Sequence, residues 1–205
     1  MFKKLQASWN KKGLKDRKYE FLFEPYDGDE IVVFDTETTG LNPKIDNIVS
    51  IGAIKIKGNK ILTNDSFHIL VIQDRAISSE SIKIHQIRNC DITEGMPIKE
   101  AIDNFLDFIG NRKLAGYYLE FDIAMINRYL KPMYGIKLPN QQEEVSAIYY
   151  DKKIARIPQG NIDLRFDTIM NELSIPKLQG HDALNDATMT AMMYLKLKYS
   201  KQKLN

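Results

Sequence analysis

Ile31-Val32-Val33-Phe34-Asp35-Thr36-Glu37-Thr38-Thr39-Gly40 sets the frame for the rest of the chain. Its first four residues are branched or aromatic, the composition of a buried strand. That strand ends on two carboxylates spaced i and i+2. Side chains at this spacing share one face of a strand, so Asp35 and Glu37 project together and Thr36 projects to the other side. Two like charges side by side are costly unless a cation lies between them. Magnesium and manganese favour carboxylate oxygen. An acidic loop in water is the other reading of the pair, and the remaining acids have to decide between the two.

The chain has 205 residues, 43% hydrophobic and 27% charged, enough for one sizeable globular core. One domain with tails is expected. Cys90 is the single cysteine. It excludes an intramolecular disulfide and a multi-cysteine metal site, fits a reducing compartment, and reads as a small core residue. No apolar stretch approaches the ~20 residues of a membrane helix. The basic start Met1-Phe2-Lys3-Lys4-Leu5 lacks the apolar region of a secretory signal. A cytoplasmic protein without a membrane partner is expected.

Charge is unevenly placed. Residues 1–18 carry seven Lys/Arg against Asp16, a net of +6, and residues 196–205 carry four Lys and no acid; with a total of +2, the middle is left at −8. An acidic middle between basic ends suits a metal site flanked by phosphate-attracting tails. Solvated termini are the plainer reading of the tails alone. Residues 1–29 read as a basic extension, 30–199 as the domain and 200–205 as a basic tail. Phe2, Leu5 and Trp9 fall at helical spacing, and Trp9 is expected to dock on the domain.

Periodicity predicts strands over 31–36, 48–56 and 60–72, the last two joined by the Gly58-Asn59 turn as a hairpin. Helices are predicted over 78–87, 97–109, 121–134, 164–173 and 182–199, with a fourth strand over 114–119. Gly135 stops one helix, and Asp182 is placed to cap the last. Residues 139–161 are hard to read and have room for a short strand and helix. Strands first, then helices alternating with later strands, argue a mixed sheet with helices on its faces.

Three further residues bear on the acid pair. Asp122 opens a helix directly after the fourth strand, where the positive helix end favours a carboxylate and open α/β sheets place their sites. A first-turn acid without function is its alternative. His181 and Asp186 are five apart, a rotation of about 140° on a regular helix, so His181 belongs on the entering loop and Asp186 in the early turns. Asp35, Glu37, Asp122 and Asp186 then suffice for two metals clamping a phosphoryl oxygen. His181, an imidazole of unperturbed pKa about 6.5, is a candidate base for the attacking water. His68 and His85 read as structural.

Phe34-Asp35-Thr36-Glu37-Thr38-Thr39-Gly40-Leu41, Phe121-Asp122 and His181 with Asp186 resemble the three motifs of the DEDDh 3′→5′ exonucleases, which include the epsilon subunit of bacterial DNA polymerase III, RNase T and oligoribonuclease. The resemblance covers roughly residues 30–197. It implies an α/β, ribonuclease H-like fold, a mixed five-stranded sheet flanked by helices. It implies two Mg²⁺ or Mn²⁺ ions on Asp35, Glu37, Asp122 and Asp186, with Glu37 orienting the water and His181 as general base. Thr36, Thr38, Thr39, Gly40 and Leu41 would line the terminal nucleotide, with Leu41 against its base; Phe121, Tyr118 and His181 would also touch substrate. One departure is Gly116-Tyr117-Tyr118, where many members carry Gly-His-Asn; the Asp-Thr segment that usually follows is also unmatched.

The resemblance implies 3′→5′ removal of nucleotides from a nucleic-acid end. The function expected is release of nucleoside 5′-monophosphates from single-stranded 3′ ends, DNA favoured over RNA although no residue is assigned to a 2′-hydroxyl contact, in proofreading or repair and with a DNA polymerase as partner. The alternatives are a non-catalytic nucleic-acid or polymerase-binding module on the same fold, and an RNA-processing exoribonuclease.

Overall fold

The computed structural model describes residues 9–155 and 161–199. Phe2 and Leu5 of the proposed N-terminal helix, and the 200–205 tail, lie outside them. Strand β1 (Glu30–Thr38) is followed by β2 (Ile48–Lys57) and β3 (Lys60–Leu70). Helices α1 (Ser79–His85) and α2 (Ile98–Ile109) lead to β4 (Lys113–Gly116) and α3 (Leu119–Tyr134). The short β5 (Gln142–Glu144), α4 (Val145–Ile154), α5 (Phe166–Glu172) and α6 (Ala183–Tyr199) complete the chain. The sheet runs β3-β2-β1-β4-β5, with β1, β2 and β3 antiparallel and β4 and β5 parallel to β1.

β1 is the axis of this sheet because it is apolar on both faces. Val32 and Phe34 pack with Ile102 and Phe105 of α2 and Met125 and Leu130 of α3. Val33 packs with Tyr149 of α4, Ile169 of α5 and Met189 and Met193 of α6. Covering both sides is what a parallel centre requires. The hairpin turn is Gly58, at φ +56 a conformation that glycine takes without steric cost. Ser78 caps α1 by accepting from the Ser81 N–H at 3.1 Å.

β4 is shorter than expected and α3 begins two residues early. Tyr117 and Tyr118 leave the sheet as a turn, with Tyr118 left-handed at φ 56. The hard-to-read region holds β5 and α4. The N-terminal part departs more. Residues 17–23 form a 3₁₀ helix that puts Tyr19 and Leu22 in the core, with Tyr19 4.5 Å ring to ring from Tyr134. Asn10 exchanges two hydrogen bonds with the backbone of Lys137. Trp9, expected to dock, is instead 75% exposed; the anchoring falls to Asn10 and Tyr19. Cys90, expected in the core, is also exposed, because its turn is polar and closed by Arg88 and Asp91.

Candidate active site

The site forms at the carboxyl end of β1. Strand alternation puts Asp35 and Glu37 on the same face as Val33, the face that α6 covers. Opposite Asp35 on β2 stands Gly52. A Cβ there would lie 2.2 Å from the Ala183 carbonyl carbon and 2.2 Å from the Leu184 nitrogen. Glycine thus lets the first turn of α6 lie against the strand, which carries Asp186 to the acid pair. Carboxylate oxygens of Asp35, Glu37 and Asp186 lie within 4.8 Å of one another. Gly52→Ala is expected to cost about 3 kcal/mol or more, the upper range for overpacking against backbone, and to displace Asp186. Denaturant unfolding measures the first effect and metal affinity the second.

Asp122 reaches the site from the other face. It is 3% exposed, in the first turn of α3, and its Oδ1 accepts from the Thr36 N–H at 3.0 Å and from the Thr36 hydroxyl at 2.6 Å. It stands outside the close group of three, near enough to raise Asp35 and Glu37. Thr36, expected to line the nucleotide, spends its hydroxyl on this bond.

The four carboxylates strain one another. Burial, then Asp122, Glu37 and Asp186, push Asp35 well above the carboxylate range. Burial, then Asp186 and Asp122, push Glu37 up to about 8. Asp186 rises to about 6 through burial, held back by the His181 N–H and imidazole. Burial raises Asp122 also, against the two Thr36 bonds. This donor set, oxygen only and short of positive charge, fits divalent magnesium or manganese.

His181 lies outside α6, on the entering loop, at φ +60. Its N–H donates to Asp186 Oδ2 at 3.0 Å, and its side chain is exposed. Asp182 caps α6 by accepting from the Asn185 N–H at 2.9 Å. It is also a fifth acid at the site, raising Asp35 and Glu37. His85 is buried with its Nε2 unpaired, and His181 lies close enough to hold its pKa down beyond the effect of burial.

The 39–47 loop is braced from within. Asp46 accepts from the Thr39 hydroxyl and the Asn42 N–H, and its carboxylate fills the space where a Gly40 Cβ would stand. Thr38 donates its hydroxyl to the Gly40 carbonyl at 2.7 Å. Arg128 of α3 donates to the Asp46 carbonyl and the Asn47 side chain. Leu41 stands at the tip, 87% exposed, while Phe121 is partly buried against the core. The sequence reading missed Gly52, Asp46, Arg128 and Glu144. An isolated glycine in a strand is a signal for close backbone approach, so Gly52 was within reach.

A two-faced α/β sheet with this oxygen cluster at the end of its central strand defines a metal-dependent phosphodiester hydrolase class. The family described as "Exonuclease" matches residues 32–194. The chain belongs to this family, that of the DEDDh 3′→5′ exonucleases. It is 32% identical over 175 residues to the DNA polymerase III subunit epsilon of Rickettsia conorii, covering 83% of this chain and 74% of that one. It is 28% identical over 165 residues to the PolC-type DNA polymerase III of Thermotoga maritima, 80% of this chain but 12% of the relative's length. E. coli Exonuclease I in complex with a dA16 oligonucleotide superposes at TM-score 0.72 with 16% identity, covering 86% of this chain and 42% of that one. The fold is therefore ribonuclease H-like.

Proposed function

We propose that the chain is a cytoplasmic 3′→5′ exonuclease that releases nucleoside 5′-monophosphates from single-stranded DNA ends, as a proofreading or repair nuclease. The observation that carries this is the group of Asp35, Glu37 and Asp186 with His181 on the adjoining loop. Two Mg²⁺ or Mn²⁺ ions, held by these three acids and Asp122, would supply Lewis-acid polarisation of the scissile phosphodiester. Glu37 orients the attacking water and His181 takes its proton. Thr38, Thr39, Gly40 and Leu41 seat the terminal nucleotide, with Leu41 against the base; Phe121 contributes through its exposed edge.

The unit carrying this activity is 30–199, with residues 17–23 packed on it. Asn10 and Lys15 dock at the far end of α3, whose 16 residues span about 24 Å, so Lys11, Lys12 and Lys15 attract nucleic acid only at long range. Relatives named for DNA polymerase III support action beside a polymerase.

The test is one assay. Labelled single-stranded DNA, duplex DNA and RNA are incubated with Mg²⁺, Mn²⁺ or EDTA. A shortening ladder on single-stranded DNA with metal and none in EDTA is expected; intact substrates under every condition overturn the reading. His181→Ala is expected to slow the reaction about 10²–10⁴-fold with little change in Tm, because the imidazole is exposed.

A further inference from the structure

We propose that Tyr118 is a stacking platform for the base of the nucleotide next to the terminal one, and that Glu144 is the positioning residue that holds it there. This rests on the exonuclease reading above.

Tyr118 sits at φ 56, ψ 33, a left-handed conformation that a bulky side chain avoids. Glu144 holds it. The Tyr118 N–H donates to Glu144 Oε1 at 3.1 Å and the Leu119 N–H to Oε2 at 2.8 Å. The same carboxylate accepts from the Ser146 N–H at 3.0 Å and the Ser146 hydroxyl at 2.7 Å. One side chain thus ties the turn before α3 to the start of α4. The two tyrosines part here. Tyr117 is fixed, its hydroxyl donating to the Leu164 carbonyl at 2.9 Å and its ring edge-on to Phe166 at 4.9 Å. The Tyr118 ring is 74% exposed. It has no hydrogen bond and no ring partner among the described residues, so the ring, unlike the backbone that carries it, gains nothing within the fold. Backbone strain of this kind concentrates at functional sites.

β4 runs parallel to β1 with Ala115 opposite Val33, and Tyr118 follows it at the start of α3, four residues before Asp122, with its partner Glu144 near enough to Asp122 to disfavour that carboxylate's charge. The 39–47 loop leaves β1 on the opposite flank, toward β2. On the proposal, a phosphodiester at the carboxylates has the β1–β2 loop with Leu41 on one flank and the turn with Tyr118, which leads into the Asp122 helix, on the other. With the terminal nucleotide on Leu41, the next base meets Tyr118. An aromatic face accepts any base, so the contact strengthens binding without selecting sequence.

The experiment is steady-state kinetics of the full chain on two substrates. One is a single-stranded DNA oligonucleotide. The other is the 4-nitrophenyl ester of thymidine 5′-monophosphate, which presents a terminal nucleotide and no neighbour. Tyr118→Ala is expected to raise KM for the oligonucleotide about tenfold or more and leave the ester unchanged, while Tyr118→Trp keeps both. Tyr118→Gly repeats the oligonucleotide defect yet has a higher Tm than Tyr118→Ala, because glycine accepts the positive φ. Glu144→Ala reproduces the defect and adds nothing to it in the Tyr118→Ala background. Glu144→Gln, of the same shape, gives a better-folded variant with a smaller rise. Equal losses on both substrates, additive losses, or no loss overturn the proposal alone. A wild-type chain that turns over neither substrate overturns the exonuclease reading beneath it.

Discussion

Asp35→Asn is expected to cut nucleotide release by about 10³-fold or more while making the metal-free protein more stable. The two effects have one cause. Asp35 is surrounded by Glu37, Asp186 and Asp122, and with burial they all disfavour its charge. An amide of the same shape removes the repulsion and leaves the packing of β1 against α6 intact. It also removes a ligand that the divalent ions need. Opposite movements of activity and stability mark a group kept for chemistry at a cost to the fold. Product release in Mg²⁺ and Tm in EDTA measure the pair. Full activity in the variant would remove Asp35 from the site, and a lower Tm in EDTA would make it a structural residue.

The second large effect is on pH and metal. In EDTA, stability is expected to fall as pH rises from about 4 to about 8. Glu37 titrates at about 8 in the folded protein against an ordinary value of 4.5, and Asp186 at about 6 against 3.8. Asp35 and Asp122 are raised as well. Across this window the folded chain holds more protons than the unfolded one, so each step upward in pH favours unfolding. Below about pH 4 the slope reverses, because ion-paired acids such as Asp91 and Asp163, held well below the ordinary carboxylate range by Arg88 and Arg165, keep their charge in the folded chain while the unfolded one takes up protons. Ions that bind only the folded protein act in the other direction. At a hundredfold excess over Kd they contribute about 2.7 kcal/mol, roughly 5–10 °C in Tm for a domain of this size. Thermal melts at pH 5, 7 and 9, with EDTA or with Mg²⁺ and Mn²⁺, read both parts. A Tm that is flat with pH in EDTA, or that neither ion moves at pH 8, would rule out a shared acidic metal site.

Much of this arrangement was legible along the chain. Val32, Val33 and Phe34 marked the central strand, because a run apolar at every position is buried on both faces. Gly58-Asn59 marked the hairpin, and Ala101, Ile102, Phe105, Leu106 and Ile109 marked the buried face of α2. The 140° rotation between His181 and Asp186 placed one on the loop and the other in the helix, as the structure has them. Other features were illegible for physical reasons. Polar residues 139–161 contain a three-residue strand, too short to show alternation. Tyr19 and Leu22 sit among charged residues, and their burial depends on Tyr134, more than a hundred positions away in the chain.

Residue type and local spacing therefore settled β1 to β4, the longer helices, their order and the presence of enough carboxylate for a metal site. These are matters of a period of 2 or 3.6 residues and of end caps, which a short window contains. Which groups meet was decided by the tertiary structure. Asp122 meets Thr36 across 86 residues, which turns Asp122 from a helix-start acid into the far wall of the site and Thr36 into its anchor. Tyr118 meets Glu144 across 26, which separates it from Tyr117 although the two are chemically identical. Gly52 admits α6 only because β2 lies beside β1. The opening stretch is thus half of a site whose other half comes from the far end of the chain. Strand alternation sets where Asp35 and Glu37 point, and sheet packing sets what they point at.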